Sequence, residues 1–134
     1  MIEYVPQRAL TKDQADAIMR GFDAVPADMR PTRALVAARI RSGEWKVFSC
    51  PTGVVVVGIV DYQTIRRLQL VTTCIEKGSM AVTARGLIKD LQRLAADWRC
   101  DAVETLCFNP RLAQAIMLHG GEFEAVAVTL PARA

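Results

Sequence analysis

Residues 68–98 read LQLVTTCIEKGSMAVTARGLIKDLQRLAADW, a stretch in which a strand, a short loop and a helix follow one another directly and around which the other elements can be arranged. In the helical part, one-face spacing relates the apolar residues Leu87, Ile88, Leu91, Leu94, Ala95 and Trp98. A helix start carries free backbone N–H groups and the positive end of the helix dipole, a combination that favours phosphate. The sequence therefore predicts an anion-binding position at the junction, residues 76–84.

The amino-terminal part predicts a short strand and two helices. A strand at 2–5 is followed by Thr11-Lys-Asp-Gln14, the capping-box pattern of a helix start. Apolar residues keep helical spacing from there to Pro26. A second helix begins at Pro31-Thr32, ends near Gly43 and carries several arginines, for which a solvated helix face is the default interpretation.

The middle of the chain predicts a β-hairpin and a central sheet. Strands at 45–50 and 54–62 flank the turn Pro51-Thr52-Gly53. The unbroken valines of the second strand are typical of a strand that is covered on both faces. After the strand at 67–75 and the long helix, the pattern predicts a strand at 102–108.

The carboxy-terminal part predicts a last helix and a last strand. Asn109-Pro110 is a typical cap and first residue of a helix, which carries Leu112, Ala115 and Ile116 and ends at Gly120-Gly121. A strand at 123–130 follows. The predicted order along the chain is thus strand, two helices, three strands, helix, strand, helix and strand.

Composition indicates one globular domain spanning residues 1–134. Of the 134 residues, 51% are hydrophobic and 23% are charged, which excludes a disordered chain. The formal net charge of +3 is too small and too dispersed to indicate nucleic-acid binding. The start of the chain lacks a signal-peptide pattern, and the longest apolar run, 54–60, is too short to span a bilayer, so we expect a soluble protein.

The cysteines predict reduced thiols in an intracellular protein. Cys50, Cys74, Cys100 and Cys107 have neither the paired spacing of a metal site nor that of a secreted disulfide framework. Cys74 and Cys107 lie in apolar strand-like runs, where a thiol is usually a small hydrophobic group. With His119 as the single histidine, no zinc or other metal site is expected.

The order of elements resembles the GNAT (Gcn5-related N-acetyltransferase) superfamily over nearly the full length. Leu87, Ile88, Leu91 and Ala95 match the apolar positions of the family's core helix, and Asn109-Pro110 matches its asparagine after the fifth strand. The end, Leu118-His-Gly-Gly-Glu-Phe123, resembles the family's Gly-Phe ending. The resemblance implies an α/β (α+β) fold, a mixed and largely antiparallel central sheet with about four helices packed on both faces.

The resemblance also implies acetyl-CoA as a cofactor, held between splayed fourth and fifth strands, with its pyrophosphate on a Q/R-x-x-G-x-G/A loop. That loop reads Ser79-Met-Ala-Val82-Thr-Ala84 here, so serine replaces the basic or amide residue and valine replaces a glycine. A β-branched side chain occupies space that glycine leaves open, which predicts a weakened phosphate site. The cofactor-binding residues, if CoA binds, are Thr73, Cys74, Ile75, Ser79, Val82, Thr83, Ala84 and Asn109.

The catalytic positions implied by the family are incomplete. Ile116 stands where many members place the tyrosine that protonates the CoA thiolate. The family's glutamate base has two candidates, Glu76 and Glu104, each of which is more often a solvated group at a strand end. His119 could titrate near neutrality and act as acid or base, but its helical phase favours partial burial against the sheet.

The length of the chain, the strand residues Leu70-Val-Thr-Thr73 and the ending from Asn109 to Phe123 resemble small GNAT-like proteins of short-tailed bacteriophages. This narrower resemblance implies a virion or interaction protein without robust catalysis. It implies protein partners in a phage or host assembly, and a location in the virion or the host cytoplasm. The alternative is an active acetyl-CoA-dependent N-acetyltransferase that acts on an amine. A third hypothesis, an acetyltransferase toxin acting on charged tRNA, depends only on the arginines of the second helix.

Overall fold

The computed structural model of the chain describes residues 2–105 and 110–122. Within them lie the strands β1 (Glu3–Val5), β2 (Trp45–Cys50), β3 (Gly53–Asp61), β4 (Arg66–Ile75) and β5 (Ala102–Thr105), and the helices α1 (Lys12–Gly21), α2 (Arg33–Arg41), α3 (Met80–Asp97) and α4 (Pro110–Leu118). The predicted strand at 123–130 and the end of the one at 102–108 lie outside the described residues.

The described strands form one mixed sheet in the order β1-β2-β3-β4-β5. Neighbouring strands are antiparallel except β4 and β5, which are parallel and are joined through α3. The predicted fold class, a largely antiparallel mixed sheet with helices, is confirmed. Within residues 2–105 and 110–122, no helix combines the length and the apolar character needed to cross a membrane.

Helices cover the sheet on both faces, as the valine run of β3 predicts. The core on the α3 and α4 side contains Phe48, Val55, Val57, Leu68, Leu70, Leu87, Leu91, Ala95 and Leu112. The core on the α1 and α2 side contains Ile18, Phe22, Val36, Val47, Val54 and Val56. Val55, Val56 and Val57 are each 0% exposed, and full burial of one such side chain contributes roughly 1.5–3 kcal/mol.

A β-bulge interrupts the pairing of β3 with β4. Val57 pairs with Leu70 and Val56 pairs with Thr72, so Val71 is the extra residue on β4. Val71 packs against the core on the α1 and α2 side, and Thr72 borders Gly21 of α1. In the part of β4 that follows the bulge, the alternation of side chains between the two faces of the sheet is therefore shifted by one residue.

The predicted capping box of α1 is confirmed, but the helix ends earlier than predicted. The Thr11 hydroxyl accepts the Gln14 N–H at 3.1 Å, and the Gln14 amide oxygen accepts the Thr11 N–H at 3.0 Å. α1 ends at Gly21, before Pro26, and a 3-10 turn follows. A Cβ at Gly21 would lie 2.5 Å from the Thr72 hydroxyl, so the helix ends where glycine lets it approach β4.

α3 ends in a Schellman motif with an unusual residue in it. The Cys100 N–H donates to the Ala95 carbonyl and the Arg99 N–H donates to the Ala96 carbonyl, at 2.7 and 3.1 Å. Arg99 has a φ of 57°, in the left-handed region where glycine is usual. An arginine there carries a steric cost that glycine avoids.

Replacing Arg99 with glycine should raise the free energy of unfolding by about 0.5–1 kcal/mol, because relief of the left-handed strain exceeds the added chain entropy of glycine. Chemical denaturation measures the difference. Arg99→Ala is the matched control, since alanine also lacks the arginine side chain but keeps the strain. Equal stabilisation by glycine and alanine would show that the backbone conformation is not the cause.

An ion pair joins α1 to α2 on the surface. Arg33 Nη2 lies 3.0 Å from Asp16 Oδ1, and Lys12 also lies near this carboxylate. The hydrogen bond from Arg33 is the main cause that holds the pKa of Asp16 below its ordinary value. Partial desolvation raises this pKa, whereas the neighbouring positive charges lower it further. A carboxyl whose pKa is lowered by folding stabilises the fold above its unfolded pKa and loses that contribution as the pH falls through its folded pKa.

Arg33→Gln should therefore destabilise the protein at pH 7, and the difference from the wild type should shrink as the pH falls below about 4. Denaturation at a series of pH values gives the difference, and NMR titration should show a higher pKa of Asp16 in the variant. Arg41→Gln, an exposed arginine on the same helix, is the control. A difference that persists undiminished at low pH would contradict this account.

Candidate functional site

The junction between β4 and α3 presents free amides at the head of the helix. The Ser79 N–H donates to the Glu76 carbonyl at 2.9 Å, and the first bond of the helix runs from the Thr83 N–H to the Ser79 carbonyl at 2.9 Å. Helix geometry leaves the N–H groups of Met80, Ala81 and Val82 without an acceptor inside α3. The backbone therefore has the arrangement of a phosphate cradle.

The side chains at the head of α3 are less suited to binding a phosphate than the backbone is. Val82, the third residue of α3, is 85% exposed, whereas Ala84 is 2% exposed and packs into the fold. Ser79 is the N-cap residue but its side chain makes no capping hydrogen bond. The free amides thus lie next to an exposed branched side chain. The N-cap residue is Ser79, so this position provides neither an arginine nor a glutamine side chain to a phosphate.

Thr52, in the β2–β3 turn, holds the junction through two contacts. Its carbonyl accepts the Glu76 N–H at 2.6 Å, and its hydroxyl lies 2.8 Å from the hydroxyl of Thr83 in the first turn of α3. The next residue, Gly53, passes so close to β4 that a Cβ would collide with the Cys74 carbonyl. The hairpin turn, the end of β4 and the start of α3 are therefore fixed together.

The predicted cofactor residues of β4 lie on the carboxy-terminal side of the bulge. Thr73 pairs with Val55 and Cys74 pairs with Val54, and Thr73, Cys74 and Ile75 are all partly buried. Pairing of β4 with β5 is described up to Leu70 and Thr105, where the Thr105 hydroxyl donates to the Leu70 carbonyl at 3.0 Å. Asn109, which follows β5, lies outside the described residues.

Glu104 is held at the other end of β4 by two residues. The Tyr62 hydroxyl donates to both carboxylate oxygens, at 2.8 and 3.0 Å, and Arg67 Nη1 donates to one of them at 3.3 Å. The guanidinium of Arg67 also lies over the Tyr62 ring, 5.7 Å from its centroid. The side chains of Arg67 and Glu104 are each 19% exposed, so Glu104 is a held group and not a solvated strand end.

The two glutamate candidates are far apart. Glu76 is exposed at the junction, while Glu104 pairs in register with Gln69 of β4. Gln69 and Ile75 are six residues apart, which is about 20 Å along a strand. The structure therefore does not bring Glu76 and Glu104 together.

The expected partial burial of His119 is wrong, because the residue is exposed. α4 ends at Leu118, and a Schellman motif follows in which the Gly121 N–H donates to the Ile116 carbonyl at 2.9 Å and Gly120 has a φ of 94°. His119 is the C-cap residue of this motif, so the spacing of the helix does not determine its direction. Ile116 packs against the core on the α3 side.

Most of the arginines near α2 have partners within the fold. Arg30 donates to the carbonyls of Val25 and Asp23, Arg33 pairs with Asp16, and Arg39 pairs with Glu44. These contacts cap loops and join helices. The basic character of this region is thus largely used in structure, and it gives no support to the tRNA hypothesis.

The cysteines and the metal-ligating residues form no cluster in the described part of the chain. Cys50, Cys74 and Cys100 are free thiols, and burial raises the pKa of the Cys100 thiol. Cys107 lies outside the described residues. Among residues 2–105 and 110–122, no three His, Cys, Asp or Glu side chains converge as metal ligands.

Sequence reasoning missed Tyr62, Arg67 and Thr52. Tyr62 lies 42 residues before Glu104, and Thr52 lies 31 residues before Thr83, so no local pattern connects the partners. The strand order offered one signal for the contact of Tyr62 with Glu104, because it places the β3–β4 loop beside the start of β5.

Several solved structures that superimpose on this chain are named acetyltransferases. The chain superimposes on a probable acetyltransferase with a TM-score of 0.71 and 15% identity, covering 100% of this chain and 99% of that one. A GCN5-related N-acetyltransferase from Ralstonia eutropha gives a TM-score of 0.69 at 10% identity, covering 100% and 99%. An aminoglycoside acetyltransferase from an uncultured soil sample, solved with sisomicin, gives 0.66 at 12%, covering 99% and 96%.

These likenesses show that the chain has the fold of the Gcn5-related N-acetyltransferases. Compared by sequence, the chain matches no protein-family model and no curated protein.

Removing the Thr52 hydroxyl should loosen the junction. Thr52→Val keeps the shape of the side chain but loses the bond to Thr83, which should lower the free energy of unfolding by about 1 kcal/mol and speed hydrogen exchange of the amides at the head of α3. Thr64→Val, in the exposed β3–β4 loop, is the control. Unchanged exchange at the head of α3 in Thr52→Val would show that the hydroxyl pair does not hold it.

Proposed function

We propose that this protein is a GNAT-fold protein with a weakened acetyl-CoA loop, which acts by contacting other proteins and does not catalyse robust acetyl transfer. The observation that carries the proposal is the position of Val82. It is the third residue of α3, it is 85% exposed, and it stands beside the free amides that a pyrophosphate would need to approach. A branched side chain there keeps a phosphate away from the backbone.

Two further departures support the same conclusion. Ser79 provides no cation or amide at the start of the loop, and Ile116 provides no proton at the position where the family's tyrosine would lie. The backbone of the junction is suited to a phosphate, but these side chains do not fit acetyl-CoA. We therefore derive no catalytic step through the cofactor.

A role in protein contacts agrees with the exposed apolar residues at the end of α4. Met117 is 54% exposed and Leu118 is 78% exposed. We place the protein in a phage or host assembly, as the resemblance to proteins of short-tailed phages suggests. Mass spectrometry of purified phage particles tests the virion part of the proposal, and absence of the chain from the particles would remove it.

Isothermal titration calorimetry with CoA and acetyl-CoA tests the weakened loop. The wild type should show no micromolar binding, whereas Val82→Gly should bind at least about tenfold more tightly, because removal of the side chain exposes the amides. Val82→Leu, which keeps a bulky side chain, is the matched control. Micromolar binding by the wild type would contradict the proposal.

Release of free thiol from acetyl-CoA tests turnover. The amine panel includes polyamines, basic peptides and aminoglycosides such as sisomicin, with which one structural neighbour was solved. The wild type should release no thiol above the background rate. Turnover with any of these amines would replace the proposal by the alternative, an active N-acetyltransferase.

A further inference from the structure

The outer face of α3 carries a basic stripe, which consists of Arg85, Lys89 and Arg93. The three residues are exposed and lie four apart, so they follow one line about 12 Å long within an arc of about 80° on the helix. This line lies opposite the side of α3 that packs into the core. We propose that the basic stripe is a docking surface for an acidic helix of a partner protein, an inference that rests on the proposed role in protein contacts.

The cations of the basic stripe are not used within the fold. In the part of the chain that the structure describes, no carboxylate lies within 4.0 Å of any of the three. Of the two aspartates of α3, Asp90 is partly buried and accepts the Ile2 N–H at 3.1 Å, and Asp97 lies beyond the last cation. Most arginines near α2, by contrast, are bonded to other parts of the chain. Three positive charges on α3 are thus available to a partner.

The residues of this face also make the free helix less stable than it can be. Arg85 with Lys89, and Lys89 with Arg93, are like-charge pairs four residues apart, which repel each other on a helix. Gly86 is exposed in the middle of α3, and a Cβ there would meet nothing within 4 Å. Packing within the described residues therefore does not require a glycine, although glycine disfavours a helix more than any other residue except proline. A partner that neutralises the cations and packs against Gly86 would offset both effects.

The shape beside the basic stripe suits a helix. Val82 is 85% exposed and precedes Gly86 by about one turn, so a strip of low relief runs alongside the cations. A glycine lets the backbone of a second helix approach closely. A helix that lies along this strip presents side chains at the same four-residue spacing, so its glutamates or aspartates can face the cations one by one.

Other occupants fit the basic stripe less well. A second copy of the chain, related by a twofold axis, would bring two positive stripes together, and like charges repel. Binding to duplex DNA depends on many phosphate contacts, whereas the net charge of the chain is only +3. A membrane-surface helix inserts its apolar face, but the apolar face of α3 is packed into the core.

The test is an NMR titration of the isotope-labelled chain with an alanine-based peptide of about 20 residues, long enough to be helical alone, that has glutamate at every fourth position. The matched control peptide has glutamine at these positions. The glutamate peptide should cause saturable shifts at the amides of residues 82–93, bind at least about tenfold more tightly than the control, and weaken at high salt. Equal binding of the two peptides, or shifts that map elsewhere, would overturn the proposal.

Two competitors test the class of partner. A DNA duplex and phosphatidylcholine vesicles that contain phosphatidylserine are added to the complex of the chain with the glutamate peptide. Neither should displace the peptide at an equal concentration of negative charge. Displacement by either one would assign the basic stripe to nucleic acid or to a membrane and overturn the proposal. No CoA is present, so failure here leaves the test of the weakened loop unaffected, and the reverse also holds.

Charge reversal at the centre of the basic stripe separates local charge from net charge. Lys89→Glu should weaken binding of the glutamate peptide at least about tenfold, and it should not lower the denaturation midpoint, because it replaces two like-charge pairs by two opposite-charge pairs. Arg41→Glu makes the same change in net charge at an exposed position of α2 and should bind the peptide as the wild type does. Equal weakening by the two variants would overturn the proposal.

A variant at Gly86 tests the close approach of the partner. Gly86→Gln should raise the denaturation midpoint, because glutamine is a better helix former and meets no neighbour at this position. The same variant should weaken binding of the glutamate peptide several-fold, because its side chain occupies the strip. Unaltered binding by this stabilised variant would contradict the docking of a helix beside the cations.

Discussion

Burial of β3 on both faces determines where the helices of this fold can lie. Val54 to Val57 are 0 to 4% exposed, and they alternate between the two cores. A strand without a polar face cannot border water, so helices must pack on each side of the sheet. The α1 and α2 pair supplies one layer and the α3 and α4 pair supplies the other. The head of α3 is positioned as a consequence of this packing.

Elements with a local physical cause were predictable from the sequence. The capping box of α1 is formed by residues three apart in the chain, and the valines of β3 by themselves indicate burial on both faces. The bulge at Val71 was not predictable, because a run of β-branched residues looks the same in either register until its partner strand is known. The early end of α1 and the left-handed Arg99 were missed for a similar reason. Each is imposed by tertiary packing, and Arg99 lacks the glycine that signals such a turn.

In the candidate site too, the features with a local cause were predictable from the sequence and the long-range contacts were not. The position of the free amides follows from the order of strand and helix, and the departures at Ser79 and Val82 are visible in the sequence. The contacts of Glu104 are not visible there, because its partners are 42 and 37 residues away. His119 was misplaced because helical phase was extended one residue past the end of α4, where backbone capping sets the direction instead.

The parallel pairing of β4 with β5 also determines the order in which the sheet can assemble. Chain order equals spatial order for the described strands, and β2, β3 and β4 are joined by tight connections that close quickly. β5 can pair only after α3 has crossed the sheet, which makes it a late addition, held in the described part by four register pairs. The border between β4 and β5 is thus the natural place for local opening in the native state. Late assembly of this border and its easy separation in the native state are thus two results of one topology.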